Sequence, residues 1–261
     1  MDFTTRKLMP ADIQTHVVEE LSYYVDGLIV KGLCLTPKKC VKRIIVYLRG
    51  GKGQVGRVRL ARLLQFIQPH TLVFAPYYRG NNGSEGRDEF AGEDLNDVEV
   101  ATRILKSQYP KAYIHFIGFS RGGIQGLLTF QRIPVHSYII WGGVSDLKLM
   151  FEERVDLRDM LKRMIGHPQK AIKAYEARDA LKFIEKSSPP VLIIHGGKDH
   201  QVGIKHAYVL EARLQQKDVM FDTLYQLEEG HVPKPKAMQK VLAYIQSWME
   251  TIEENKKSCG T

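Results

Sequence analysis

After an opening hairpin the chain alternates strand and helix to its end, and that rhythm leaves few folds open. "THVVEELSYYVDGLIVKGLCLT" reads as two alternating strands joined at Asp26-Gly27, a strong hairpin signal. "VKRIIVYL" follows as a strand apolar enough for burial on both faces. A glycine-rich loop, "RGGKGQVG", then leads into the helix-like "RVRLARLLQFIQ", which stops at Pro69. "TLVFAPYY" opens the next unit, closed by a polar turn and a helix through "EDLNDVEVATRILKSQ". "AYIHFIGF" with "IQGLLTFQR", "HSYIIWGG", "PPVLIIHGG" with "IKHAYVLEARLQQK", and "FDTLYQLEE" with a last helix repeat the pattern. That last helix carries Val241, Tyr244, Ile245, Trp248 and Ile252 on one apolar stripe. The expected fold is α/β: a mostly parallel, eight-stranded sheet with an antiparallel hairpin at its N-terminal side and helices on both faces.

One interval breaks the rhythm. About forty residues between Asp146 and Pro189 are helical in spacing and rich in charge, and a connection that long usually carries function. Residues 1–261 are therefore expected to form one domain, with 146–189 a helical cap.

Composition narrows the class. Hydrophobic residues at 44% and charged residues at 26% suit a globular chain rather than a disordered one. The N-terminus has no apolar leader, and runs such as Val191–Ile194 are too short to span a bilayer, so neither export nor membrane insertion is expected. Cys34, Cys40 and Cys259 form no C-x-x-C motif and cannot all pair within one chain, which suits a reducing, cytoplasmic setting. The net charge of +9 is scattered along the chain, as on a solvated basic surface. No metal, cofactor or nucleic-acid partner is expected.

The chemistry centres on "GFSRGG", Gly118 to Gly123. Gly118 and Gly122 flank Ser120 two residues away on each side, where a sharp strand-to-helix turn leaves no room for side chains. Such a turn lifts the serine oxygen above the sheet and frees the next amide, that of Arg121, to hold an oxyanion. A serine needs a base, and the base needs an orienting carboxylate. Asp199 in "VLIIHGGKDHQV" and His231 in "LYQLEEGHVP" lie just beyond two predicted core strands. Parallel sheets gather their sites at the carboxyl ends of strands, so Ser120, Asp199 and His231 are expected to meet.

Rivals exist at each position. Asp146 ends another strand and could reach the same histidine, or could cap the next helix. His195 reads as a packed core residue, and His200 and His206 as surface. For the second oxyanion donor the loop "LRGGKG" offers Gly51, with Gly50 or Lys52 as alternatives. Phe119, Tyr77, Tyr78 and Trp141 lie at strand ends and could line an acyl pocket, roofed by Met150, Phe151 and Met160; core packing is the competing role for each. Arg49, Lys52, Arg57, Arg59 and Arg62 crowd the same loop and its helix, where a carboxylate or phosphate would be attracted.

Two other functions compete. "GKGQVG" spells a dinucleotide-binding G-x-G-x-x-G turn, but no acid ends the next strand, although Arg79 could meet a 2′-phosphate of NADP. A non-catalytic scaffold binding nucleic acid is the other, opposed by the intact Ser, Asp and His set.

With these residues in place, the chain resembles the catalytic α/β-hydrolase domain of the prolyl oligopeptidase group, which includes dipeptidyl and acylaminoacyl peptidases. "GFSRGG", "YYRGNNGSEGRDEFAGEDLNDV", "SPPVLIIHGGKDHQV" and "EEGHV" carry the resemblance, from about Val41 to His231. It implies Ser120 as nucleophile, Asp199 as acid and His231 as base. Two departures bear on substrate. Arg49-Gly50-Gly51 stands where many members have His-Gly-Gly, and only about forty residues precede the third strand, where full-length oligopeptidases carry a β-propeller. The expected substrate is an ester or other small acyl compound, with a short peptide as the alternative.

Overall fold

The computed structural model describes residues 2–52 and 55–258; Cys259, and Gly53 and Gln54 of the glycine loop, lie outside them. Among the described residues nine strands form one sheet: β1 (Thr5–Leu8), β2 (His16–Val25), β3 (Leu28–Pro37), β4 (Arg43–Leu48), β5 (Thr71–Pro76), β6 (Tyr113–Phe119), β7 (Ser137–Trp141), β8 (Val191–Gly196) and β9 (Phe221–Gln226). Their spatial order is β1-β2-β3-β5-β4-β6-β7-β8-β9. From β5 to β9 every neighbour is parallel, while β1, β2 and β3 run antiparallel at one edge. The α/β-hydrolase fold expected from the sequence is present, with one strand more than the eight counted there. The addition is β1, whose four residues are all exposed, so no buried alternation announces it. The Asp26-Gly27 turn closes the β2–β3 hairpin with both residues at positive φ (52° and 79°), as a two-residue hairpin loop of this twist requires.

The parallel strands are buried on both faces, which explains their unbroken apolar runs. In β4, Ile44 and Val46 pack on one side with Leu95 and Val98 of α2 (Asp94–Gln108), Ile124 and Leu127 of α3 (Gly122–Thr129), and Leu210 of α7 (Lys205–Gln216). Ile45 and Tyr47 point the other way. They meet Val241, Ile245, Trp248 and Ile252, the stripe of α8 (Pro235–Ser258), together with Leu63 of α1 (Leu60–Leu63). The helix expected over "RVRLARLLQFIQ" is shorter than its spacing suggests: α1 gives way to a 3-10 turn at Leu64–Phe66. Leu63 and Phe66, three residues apart, both reach the core, and a three-residue turn keeps them on one side. Between β7 and β8 lie α4 (Leu147–Glu153), α5 (Arg158–Met164) and α6 (Ile172–Glu176), with 3-10 turns at Val155–Leu157 and Ala180–Phe183. Among the described residues no helix is long and apolar enough to cross a membrane.

Several histidines are packed inside. Burial pushes both His136 and His206 down to about 4 and lowers His115 and His195 as well. Through these histidines the unfolded chain binds more protons than the folded one between about pH 6.5 and 4, offset in part by Asp97, which burial raises to about 7. Stability is present above that window and is lost as pH falls through it. The buried acids held low, Glu253 at about 2 and Asp88 below its ordinary value, contribute their loss only at lower pH. Urea unfolding should thus show a stability drop on the order of 2 to 4 kcal/mol from pH 7 to 4.5. His206→Gln should reduce the drop, and a stability constant over that range would contradict the assignment.

Candidate active site

Chain direction creates the site. From β4 the chain goes outward to β5 and then returns across β4 to β6, so the loops after β4 and β6 diverge and leave a crevice at the carboxyl edge. Ser120 follows β6 directly and opens onto α3. Its φ of 56° lies in the left-handed region, where a non-glycine residue is strained. Three backbone hydrogen bonds hold it there: its amide donates to Trp141 O at 3.1 Å, and its carbonyl accepts from Gly123 N at 2.9 Å and Val144 N at 3.0 Å. Only glycine fits around it. A Cβ on Gly122 would lie 2.0 Å from Leu48 O, and one on Gly50 would lie 2.7 Å from Ser120 Cβ and 3.2 Å from its Oγ.

Asp199 and His231 come from the loops after β8 and β9, as the sequence suggests. Asp199 Oδ2 lies 2.7 Å from His231 Nδ1, while Oδ1 accepts from the Gln201 and Val202 amides at 2.8 and 3.0 Å. Burial alone would raise this carboxyl, but the His231 hydrogen bond and the two amides outweigh it and hold it below the usual carboxylate range. An ionised Asp199 can only accept, so His231 Nδ1 donates to it. His231 and Ser120 line the same cleft, of about 320 Å³. The Phe119 ring packs on the imidazole, with centroids 4.8 Å apart.

The rival residues have other hydrogen-bond partners. Asp146 caps α4, its Oδ1 accepting from Lys148 N and Leu149 N. His195 is a core residue behind Asp199, bonded through Nε2 to Val202 O at 2.8 Å and 3.6 Å from Asp199 Oδ2. His200 is exposed, but His206, read as surface, is 1% exposed: the first turn of α7 faces inward and its imidazole sits against Ser145. Arg79 is bound to Asp97 and Asp26, both oxygens within 2.8 Å of Nη2, so its charge is already met by two carboxylates.

Among the described residues, neither the Arg121 nor the Gly51 amide has a hydrogen-bond acceptor. The Arg121 side chain links the two segments: Nη1 donates to Gly51 O at 3.2 Å, and the guanidinium is held by Asp88 and Asp94 at 2.6–2.7 Å. Arg49, counted among the surface cations, is instead 1% exposed and donates to Tyr77 O and Gly50 O. Both it and Arg121 lie against the Tyr78 ring, at 5.2 and 5.3 Å from its centroid.

Of the four aromatic residues offered for a pocket, Phe119 lines the cleft and the others lie beneath it. Tyr78 is fully buried beside the two arginines, Tyr77 is in the core, and Trp141 is 2% exposed behind Phe119. A second cleft of about 340 Å³ meets the first at Ser120, lined by Phe90, Met150, Met160 and Val202 among others. Met150 and Met160 thus lie where the roof was expected, whereas Phe151 turns away to pack against His167. Sequence reading missed Gln201 and Val202. Their signal was present, since they follow Asp199 in a strand-end loop. No group of three or more His, Cys, Asp or Glu among the described residues is placed to hold a metal ion.

A model of the prolyl oligopeptidase family matches residues 72–255. A Bacillus subtilis protein named "uncharacterized peptidase YtmA" is 41% identical over 252 residues, 94% of this chain and 98% of that one. Among solved structures, Pyrococcus horikoshii acylaminoacyl peptidase superposes with a TM-score of 0.73 at 18% identity, over 84% of this chain and 38% of its own. The chain thus spans about two fifths of that enzyme. An acetyl xylan esterase from Paenibacillus sp. R4 superposes with a TM-score of 0.74 at 14% identity, over 95% of this chain and 89% of its own.

Proposed function

Since this chain belongs to the prolyl oligopeptidase family and is a serine hydrolase, we propose that it cleaves small acyl esters through an acyl-enzyme on Ser120. His231 Nε2 takes the Ser120 proton, Oγ adds to the carbonyl carbon, and the Arg121 and Gly51 amides receive the oxyanion. His231 then gives that proton to the leaving oxygen as the ester bond breaks. Water, activated by the same nitrogen, releases the acid. Asp199 keeps the imidazole in the required tautomer and stabilises its cation.

The observation that carries this reading is the pair of clefts meeting at the strained Ser120. The leaving group must lie beside the general acid, which assigns it to the cleft holding His231. The acyl group then enters the second cleft, between Met150, Met160 and Phe90, and this region of the 146–189 segment acts as its roof. About 340 Å³ is near the small end of ligand pockets and suits a short acyl chain.

Para-nitrophenyl esters of increasing chain length provide the test. kcat/KM should be highest for two to four carbons and fall about tenfold or more beyond eight, with intact mass showing the acyl adduct on Ser120. The relative named as a peptidase favours a second reading, cleavage of short peptides. Turnover of aminoacyl anilides with none of the esters would replace the first reading by the second.

A further inference from the structure

We propose, resting on the hydrolase reading above, that the cleft beside His231 selects substrates whose leaving group carries a carboxylate. The lining of that cleft is one-sided. Arg59 and Arg62 face it from α1 and the residue before it, together with Arg57, and among its described lining residues there is no aspartate or glutamate. Arg59 and Arg62 make no ion pair with any described residue; Arg62 hydrogen-bonds only the neutral Gln65, at 3.3 Å. This contrasts with the other arginines near the site. Arg49 and Arg121 are buried and engaged with carbonyls, Asp88 and Asp94, and Arg154 of the second cleft is paired with Asp156.

Arg62 is also held in place. Its guanidinium lies over Phe119 at 5.0 Å and over Trp141 at 5.5 Å, contacts that fix a long side chain while leaving its N–H edge for a ligand. The same Phe119 ring packs on His231, so the cation stands one aromatic ring away from the general acid. A leaving group departing past His231 carries its own substituents toward Arg62 and Arg59. A planar guanidinium matches a carboxylate by two parallel hydrogen bonds. A hydroxy acid released from an ester and the C-terminal residue released from a peptide both present this group at the same place.

The test compares matched substrates. Acetyl 4-hydroxybenzoate is set against the acetyl ester of 4-hydroxybenzamide, each rate divided by its spontaneous hydrolysis. An N-acetyl dipeptide acid set against its amide distinguishes a peptide source from an ester one. The wild type should favour the carboxylate by on the order of tenfold in kcat/KM, mainly through KM. Arg62→Gln and Arg59→Gln should each lower that ratio and together bring it near one. Lys38→Gln, which removes an exposed charge before β4 at the opposite edge of the sheet, should leave the ratio as it is. A wild-type ratio near one with normal ester turnover would overturn the carboxylate site and leave the hydrolase reading standing. A ratio equally reduced by Lys38→Gln would overturn it too, as a general field effect. No turnover of any substrate would take both down together.

Discussion

Ser120→Ala loses ester hydrolysis by about four orders of magnitude or more in kcat/KM while its circular dichroism and melting temperature stay close to wild type. The first half follows from the proposed mechanism, in which Ser120 Oγ forms the acyl bond. The second half follows from how the turn is held. The three hydrogen bonds that fix residue 120, to Trp141 O and from Gly123 N and Val144 N, use its backbone alone. Alanine keeps all of them and bears the same positive φ at similar cost. Steady-state kinetics with a thermal melt measures both halves. Residual hydrolysis within tenfold of wild type would remove Ser120 from the mechanism.

Asp199→Asn should cost nearly as much, on the order of 10⁴ in kcat, for a reason readable in its partners. Oδ1 accepts from two backbone amides, those of Gln201 and Val202, so the amide oxygen of asparagine is forced to that side. Its NH₂ group then faces His231 Nδ1, where the carboxylate accepted at 2.7 Å. A donor there turns the imidazole to the other tautomer, with the proton on Nε2, and the base can no longer take one from Ser120. Asp146→Asn is the contrasting variant: its oxygen can still cap α4, so activity should change by less than about threefold. Equal losses in the two variants would contradict the assignment of the acid.

The two aspartates also show where sequence is a sufficient guide. Both follow parallel strands; chain order and the family's pattern favoured Asp199, and Asp146 takes the helix-capping role that the sequence offered as its alternative. Glycine spacing around Ser120 was legible because close backbone approach admits few residues. Strand ends were legible for a related reason: the buried parallel strands are apolar apart from single packed residues such as His115 and His195, and polar runs begin where the strands stop. The pocket was harder. Tyr77, Tyr78, Phe119 and Trp141 all sit at strand ends, yet alternation and the positive φ of Tyr78 send three of them inward and leave Phe119 at the cleft. Arg49 looked like part of a surface cluster, but its guanidinium folds under the loop onto carbonyls and the Tyr78 ring. Its burial depends on the buried Arg121, Asp88 and Asp94 group nearby, which spacing along the chain does not announce.

The central claim is that Ser120 is an activated nucleophile, and the most direct measurement is labelling by a fluorophosphonate followed by peptide mapping. The wild type should carry the label on the peptide containing Ser120, with His231→Ala losing it at the same probe concentration. Label on another residue, or none on a folded wild-type protein that the probe can reach, would contradict the account.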